Sequence, residues 1–297
     1  MKKKSSLKHT GAFWAFCAPC CILFGVFFLV PLVLSIAFSF TNYDGWKTID
    51  FVGLTNYITL FKDSKFYLSL GRTLLYTVCT LPFRVIIPLL VAVLLCSKRV
   101  AGKSLTRTMV YIPVLMSALV VGITINWMFS QEYGLVNFII RSLGGTALEW
   151  SLNPRLATFV IAFASVWASI GFNMILYIGG INSISNDLYE AATIDGAGKW
   201  RQFFSITVPM ITPIIFYNLV TQICQAFQEF NGPYIITNGG PRGSTTLISL
   251  LVYNYAFKSY DMGMASALAW IMFIIVCILT IIAFTSQKKW VYYSDER

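Results

Sequence analysis

The chain has 297 residues, of which 57% are hydrophobic and 11% charged, whereas an ordinary soluble domain carries about 25% charged residues. Lys and Arg outnumber Asp and Glu by 22 to 12, so the net charge is +10 at pH 7. This composition excludes an ordinary soluble domain. In a membrane protein, a basic excess points first to topology and needs no nucleic-acid partner.

Six apolar blocks follow one another along the chain, and each is near or above the ~20 residues that a membrane-spanning helix needs. The blocks occupy residues 13–40, 69–96, 109–129, 156–181, 206–228 and 263–286. They predict an all-α integral membrane protein with six transmembrane helices.

Lys and Arg are more frequent before the first block, after the sixth block, and in the second and fourth loops than in the remaining loops. Loops rich in Lys and Arg remain on the cytoplasmic side. The distribution therefore predicts that both termini are cytoplasmic. The last outer loop, about 229–262, contains the turn-forming sequence Thr237–Pro241 and suits contact with an external partner.

Arg84 lies inside the second block, between Pro82 and Pro88. A lone charge at such a position costs about 2.5 to 3.5 kcal/mol on insertion scales, so it needs a partner. Glu229 is one candidate. The sequence leaves open whether Arg84 has a structural role or a role in a transport pathway.

The fifth block carries a polar stripe in which successive members are four, three and four residues apart, which places them on one helical face. Its members are Asn218, Gln222, Gln225 and Glu229. Polar groups that face lipid lose their hydrogen bonds, so this face should contact protein or water. Amides and carboxylates are suitable partners for sugar hydroxyls. The alternative is hydrogen bonding between helices, worth about 0.6 to 2 kcal/mol per contact.

The loop between the fourth and fifth blocks, about residues 182–204, contains the most specific pattern in the chain. Glu190-Ala191-Ala192 lies in a stretch of good helical propensity, and Gly196 permits a sharp exit from a short helix. The following segment, Trp200–Phe204, places aromatic side chains at helical spacing. Such a helix, held parallel to the membrane, suits contact with a cytoplasmic subunit.

This loop, together with Ile206 and Pro209, resembles the cytoplasmic "EAA" loop of binding-protein-dependent ABC importer permeases. The resemblance extends over roughly residues 70–285 and is to the sugar-importer branch, of the maltose and oligosaccharide type. Further matching segments are Phe51–Tyr57, Arg107–Pro113, Gly134–Asn137, Trp167, Thr237–Pro241, Tyr253 and Ala256-Phe257.

The resemblance implies a type I ABC importer permease in a prokaryotic plasma membrane. It also implies four partners in addition to membrane lipid: a second homologous permease, two cytoplasmic ATPase subunits and an extracytoplasmic sugar-binding protein. In the family the Glu-Ala-Ala helix docks into a groove on the ATPase. The coupling role is thereby implied for Glu190, Ala191, Ala192, Asp195 and Gly196.

The resemblance also implies where a sugar would pass. In the fifth span, the positions equivalent to sugar contacts of the maltose branch are Gln222, Gln225, Ala226, Glu229 and Asn231. In the fourth span they are Ser169 and Phe172, with Asn173 beside them. The polar stripe adds Asn218 to this predicted substrate pathway.

Nucleotide binding by this chain is not expected. Gly102-Lys103-Ser104 and Gly198-Lys199 both resemble the end of a phosphate-binding loop, but position 97 is Ser and position 193 is Thr where that loop requires Gly. The chain is therefore expected to bind no cofactor, and ATP and Mg²⁺ are assigned to the partner ATPase subunits. No recognisable catalytic motif, carboxylate cluster or Cys/His group predicts an enzyme or a metal site.

The predicted organisation is a first segment, 1–68, with the N-terminal tail, first transmembrane helix and outer loop. The permease core follows at 69–287, and residues 288–297 form a cytoplasmic tail. The predicted function is ATP-driven sugar import, through a pathway of which this chain forms half. Alternatives are a permease for glycerol phosphate, a stand-alone secondary transporter and a membrane-embedded enzyme.

Overall fold

The structure, a computed structural model, describes residues 6–46, 49–97 and 102–292, with side chains described from residue 13 onward. The predicted tail segments 1–5 and 293–297 and the loop segment 98–101 lie outside the described residues. Every regular element among the described residues is helical, and an isolated bridge joins Thr41 to Phe51. The chain is therefore all-α, as predicted.

The described elements are α-helices interrupted by short π-helical segments. The α-helices are α1 (Ser6–Phe24), α2 (Val30–Ser39), α3 (Thr55–Lys62), α4 (Ser64–Cys96), α5 (Lys103–Leu115), α6 (Ala118–Met128), α7 (Leu135–Ser142), α8 (Pro154–Asn182), α9 (Asn186–Ile194), α10 (Lys199–Gln202), α11 (Val208–Met210), α12 (Thr212–Phe227), α13 (Ile248–Tyr253) and α14 (Met262–Gln287). The π-helical segments are Gly25–Leu29, Phe203–Thr207, Gly232–Thr237 and Asn254–Lys258.

Four of the six predicted blocks correspond to helices that are long and apolar enough to cross a membrane: Phe13–Ser39, Ser64–Cys96, Pro154–Asn182 and Met262–Gln287. The other two correspond to bent pairs. Lys103–Leu115 and Ala118–Met128 meet at 104°, and Lys199–Met210 and Thr212–Thr237 meet at 66°. The described chain thus has four candidate spans, or six where each bent pair counts as one. Six spans and the cytoplasmic position of the termini stay predictions.

The bend in the third block results from the backbone conformation at Met116 and from the helix cap at Ser117, neither of which a hydropathy profile shows. Met116 is extended, with φ −77° and ψ 143°. The hydroxyl oxygen of Ser117 then accepts the backbone N–H of Val120 at 3.3 Å, which caps a new helix. The apolar block at 109–129 is therefore two helices rather than one continuous helix.

The chain groups into two compact units, of which the first is Met1–Asp63 with Val252–Met272. In this unit the Asn56 side-chain amide donates to the carbonyls of Ser39 at 2.9 Å and Thr41 at 2.8 Å. The Tyr255 hydroxyl donates to the Asp63 carboxylate at 2.9 Å. Burial, reinforced by this carboxylate, raises the pKa of Tyr255 to about 12.

The second unit is Ser64–Leu251 with Phe273–Arg297, and it contains both candidate functional regions. Within it, α4 packs against α8 and α12, and α5 packs against α8. Small residues allow the backbones of such helices to approach closely. A Cβ atom at Gly171 of α8 would lie 2.7 Å from the carbonyl oxygen of Val110 and 2.9 Å from the Cα of Tyr111.

Replacing Gly171 by Ala should lower the stability of the protein, because the new methyl group meets backbone atoms of α5 that cannot rotate away. We expect a loss of about 1 to 3 kcal/mol, typical of overpacking. The measurement is the thermal unfolding midpoint of the detergent-solubilised protein. Gly179→Ala on the same helix is the control, because a Cβ there would have no described atom within 4 Å. Equal midpoints for the two variants would contradict the close packing of α5 on α8.

Candidate functional site

A cavity of about 480 Å³ opens within the second unit. Its walls come from α4, α8, the ends of α5 and α6 that meet at the break between them, the last turn of α12 and the segment that follows α12. Polar side chains in the wall are Ser165, Ser169, Gln225, Gln228 and Asn231, together with Arg84 and Glu229. Apolar side chains in the wall include Val114, Met116, Val121, Phe230 and Ile236. This mixture of amides, hydroxyls and apolar surface is typical of a site for a small molecule.

An ion pair joins two walls of the cavity. The Nη2 atom of Arg84 lies 3.1 Å from Oε2 of Glu229, and the two side chains are 2% and 16% exposed. The candidate partner that the sequence suggested for Arg84 is therefore its actual partner. The second carboxylate oxygen of Glu229 accepts the backbone N–H of Gly232 at 3.1 Å. Arg84 thus links the middle of α4 to the turn after α12.

The pair also reaches α8 through hydrogen bonds. Nη2 of Arg84 donates to the Tyr76 hydroxyl at 3.4 Å, and this hydroxyl donates to Ser165 at 2.6 Å. The Asn173 amide donates to the backbone carbonyl of Arg84 at 3.4 Å. Removing one member of a buried ion pair leaves the other charge unpaired at a high cost in free energy, so each of the two residues constrains where the other can lie.

The pair makes the cavity wall electrically neutral. Among the described residues that line the cavity, Arg84 and Glu229 are the only two whose side chains are charged. Their opposite charges lie 3.1 Å apart. The remaining polar groups in the wall are uncharged donors and acceptors.

The predicted polar stripe divides into two structurally different halves, and only Asn218, Gln222 and Gln225 lie on α12, which ends at Phe227 before Glu229. Asn218 and Gln222 are 0% and 1% exposed. The Asn218 amide donates to the Tyr177 hydroxyl at 2.7 Å, and the Gln222 amide donates to Asn173 at 3.3 Å. These two residues form hydrogen bonds between helices, which was the alternative explanation for the stripe. Gln225 and Glu229 instead line the cavity.

The structure brings only part of the predicted pathway together around the cavity. Ser169, Gln225, Glu229 and Asn231 line it. The other predicted members, which are not in its wall, are Asn173, Asn218, Gln222 and Ala226, all buried between helices, and the half-exposed Phe172. The role of each residue in transport stays a prediction.

Among the uncharged polar side chains of the cavity wall, sequence reasoning missed Ser165 and Gln228, and it assigned none of the apolar residues of the wall. Ser165 precedes Ser169 by four residues on α8, and this helical spacing was a usable signal. Gln228 lies beside Glu229, but α12 ends at Phe227, so helical periodicity could not assign its direction.

The predicted short helix in the fourth loop is present as α9. It begins at Asn186, four residues before Glu190, because Ser185 caps it by accepting the N–H of Asp187 at 3.3 Å. Glu190 and Ala191 are exposed and Ala192 is half-buried. Gly196 follows at φ +77°, a left-handed conformation that glycine adopts without strain.

The turn after α9 is fixed by hydrogen bonds. The N–H of Ala197 donates to the carbonyl of Ala192 at 2.8 Å, which closes the end of the helix. The buried side chain of Gln202 donates to the Thr193 hydroxyl at 2.9 Å and to the Ala197 carbonyl at 3.1 Å. Asp195 lies in this turn and is exposed. The loop therefore consists of two ordered short helices, α9 and α10, joined by a turn, and is not an irregular linker.

Large apolar side chains at this loop remain uncovered. Ile194 is 87% exposed, Trp200 75% and Phe204 64%. The rings of Trp200 and Phe204 are stacked with centroids 6.3 Å apart. Exposed apolar surface of this kind, next to charged residues, is typical of a protein interface.

Within the part of the chain that the structure describes, no three His, Cys, Asp or Glu side chains lie together so that they could hold a metal ion.

Comparison with known proteins identifies the family. The model of the family "binding-protein-dependent transport system inner membrane component" matches residues 51–291. The probable ABC transporter permease protein YesP of Bacillus subtilis is 36% identical over 100% of this chain and 97% of its own length. The multiple sugar-binding transport system permease protein MsmF of Streptococcus mutans is 35% identical over 93% of this chain and 95% of its own length.

A solved structure agrees with this assignment at the level of the fold. A chain of a bacterial alginate ABC transporter, crystallised with a periplasmic protein bound to an alginate pentasaccharide, superposes with a TM-score of 0.85. It is 22% identical, and the match covers 97% of this chain and 98% of that one. The fold is the predicted type I ABC importer permease fold. The chain belongs to the family of binding-protein-dependent transport system inner membrane components.

Proposed function

We propose that this chain is the permease subunit of an ATP-driven importer for an uncharged sugar, with an oligosaccharide as the preferred cargo. The observation that carries the proposal is the neutral cavity lined by amides and hydroxyls. The Streptococcus mutans relative, named for a multiple sugar-binding transport system, supports sugar as the substrate class. The family, whose members are inner membrane components, supports a position in the plasma membrane of a prokaryote.

The cavity wall suits both faces of a sugar ring. Gln228 and Asn231 each offer a donor and an acceptor for hydroxyl groups. Gln225 offers its N–H donors, while its Oε1 already accepts the Gln222 amide at 3.2 Å. Phe230 and Ile236 offer apolar surface for the C–H face of a ring. A second, homologous permease would supply the remaining wall and lengthen the pathway for an oligosaccharide.

The neutral wall favours an uncharged sugar over glycerol phosphate. Uncompensated positive charge in the pathway would strengthen the binding of a phosphate group. The Arg84 charge is instead compensated by Glu229 at 3.1 Å. The glycerol-phosphate alternative therefore has no support from the described cavity.

We assign the coupling role to α9 and the turn that follows it. Glu190, Ala191, Ala192, Asp195 and Gly196 would contact one of two cytoplasmic ATPase subunits, which bind ATP and Mg²⁺. The exposure of Glu190 and Ala191 and the uncovered side chains of Ile194 and Trp200 support this contact. An extracytoplasmic sugar-binding protein would deliver the cargo on the opposite side.

Transport would follow from differential binding by the partners. A ligand shifts a conformational equilibrium only as far as it binds one state better than the other. ATP binding would favour the state in which the ATPase subunits, and the α9 helices attached to them, are close together. The loaded binding protein would favour the same outward-facing state, so cargo arrival and ATP use are coupled.

Purification of the tagged chain from its native membrane tests this proposal. A second permease and an ATPase should co-purify, and sugar uptake by the reconstituted complex should require both ATP and the binding protein. Uptake by the chain alone, without ATP, would overturn the proposal in favour of a secondary transporter. Turnover of a substrate into a new product would instead indicate an enzyme.

Gly196→Ala should reduce ATP-dependent sugar uptake by about tenfold. Alanine in a left-handed conformation is disfavoured by about 1 to 2 kcal/mol, which would displace the turn that positions α9. The measurement is uptake by the complete transporter in proteoliposomes. Gly198→Ala is the matched control, because Gly198 has φ −69° and a Cβ there would have no described atom within 4 Å. Similar losses in both variants would count against a role for the turn.

Gln225→Ala should lower the uptake rate about fivefold at a fixed concentration of loaded binding protein, the effect of one lost hydrogen bond of about 1 kcal/mol. ATPase activity without sugar should be unchanged. Thr221→Val is the control on the same helix, because the Thr221 hydroxyl bonds to backbone carbonyls of its own helix and does not line the cavity. Normal uptake by Gln225→Ala would remove Gln225 from the pathway.

A further inference from the structure

Arg84 contributes to the cavity wall, and hydrogen bonds use only some of the donors of its guanidinium group. Arg84 is 2% exposed, and its Nε atom has no hydrogen-bond partner among the described residues. Guanidinium groups present a planar set of donors that matches carboxylate and sulfate groups. Without its ion-pair partner, Arg84 would be a ready site for such an anionic group.

Glu229 is held in the position that blocks this site. One carboxylate oxygen faces Arg84 at 3.1 Å, and the other accepts the N–H of Gly232 at 3.1 Å. The hydroxyl of Ser249 donates to the backbone carbonyl of Glu229. The carboxylate is therefore anchored by its own turn, independently of anything that enters the cavity.

We propose that Glu229 is a specificity-determining residue, which masks the charge of Arg84 so that the pathway accepts uncharged saccharides and excludes acidic ones. Without Glu229, Arg84 would form a subsite for a carboxylate- or sulfate-bearing saccharide. The saccharide part of this inference rests on the proposed function. The masking of charge does not, because it concerns only the electrostatic potential of the cavity.

The physical basis is the low polarisability of the surroundings. A single charge acts strongly on other charges in a poorly solvated site, whereas an opposite charge in contact with it cancels most of its field at a distance. No other charged side chain lines the described cavity. The removal of Glu229 should therefore leave the wall with a net charge of +1, and the removal of Arg84 should leave it with a net charge of −1, where an entering molecule otherwise meets a net charge of zero.

A cysteine introduced in place of Ser169, which lines the cavity, can report this potential. In the complete transporter, Ser169→Cys is treated with two methanethiosulfonates of opposite charge, the sulfonatoethyl reagent and the trimethylammonioethyl reagent. The ratio of their reaction rates is compared with the ratio for a small free thiol. The parent protein, which keeps Ser169, gives the background from the native cysteines.

With Arg84 masked, the ratio of anionic to cationic reaction rates at the introduced cysteine should match that of the free thiol. Glu229→Gln should raise this ratio by on the order of tenfold, and Arg84→Gln should lower it by a similar factor. The double variant Arg84→Gln/Glu229→Gln should return to the starting ratio. Glu149→Gln is the control, because it removes an exposed carboxylate outside the cavity wall and should leave the ratio unchanged.

An unchanged ratio in Glu229→Gln would overturn the proposal. Where the single variants fail to assemble, two proteins still decide the question: Ser169→Cys alone and Ser169→Cys with the double substitution. Equal reagent ratios in these two proteins support masking. A lower ratio in the double variant would show that the Arg84 charge was unmasked from the start, and would overturn the proposal.

Binding of saccharides to the detergent-solubilised transporter tests the specificity itself. The probes are trigalacturonate, which carries three carboxylates, and the neutral trisaccharide maltotriose. Glu229→Ala, which removes both the charge and the side chain that covers Arg84, should bind trigalacturonate on the order of tenfold more tightly than the unsubstituted transporter, and Arg84→Gln/Glu229→Ala should lose this gain. No gain in Glu229→Ala would overturn the anionic subsite. Failure of the proposed function would be distinct, since it would appear as absent ATP-dependent uptake in the parent with the reagent ratios unaffected.

Discussion

The ion pair between Arg84 and Glu229 is the constraint on which the second unit depends. A charge within a membrane-spanning helix is expensive unless it is paired, and Arg84 finds its partner in the turn after α12. The pairing fixes that turn against α4, and the hydrogen bonds of Tyr76 and Asn173 bring α8 into the same cluster. The geometry of the cavity wall and its neutrality are two consequences of one contact.

Much of this arrangement could be predicted from the sequence because it follows from local chemistry. The cost of a buried charge pointed to a partner for Arg84, and Glu229 was one candidate, at the end of another apolar block. The Glu-Ala-Ala pattern and Gly196 predicted the short helix and its exit, which the structure has as α9 and a left-handed turn. In both cases a few residues determine the outcome.

The remaining features depend on the direction of side chains relative to other helices. Helical spacing placed Asn218, Gln222 and Gln225 on one face, but it could not tell which of them meets Tyr177 or Asn173 and which faces open space. The break at Met116 and Ser117 is another example. A hydropathy average is taken over many residues, so it does not show that one of them, Ser117, caps a new helix. Both features required the packed structure.

Helices α8 and α12, which contribute to the cavity wall, lie on either side of α9 along the chain, and this continuity gives the proposed coupling a physical route. Helix α8 carries Ser165 and Ser169 in the cavity wall and ends at Asn182, four residues before α9 begins. On its other side α9 is tied to the segment leading into α12, because the Tyr189 and Thr207 hydroxyls lie 2.9 Å apart. Helix α12 in turn carries Gln225. A force applied to α9 by a partner would thus act on the parts of the cavity wall that α8 and α12 form, and a loosened turn at Gly196 would weaken that force without altering the cavity itself.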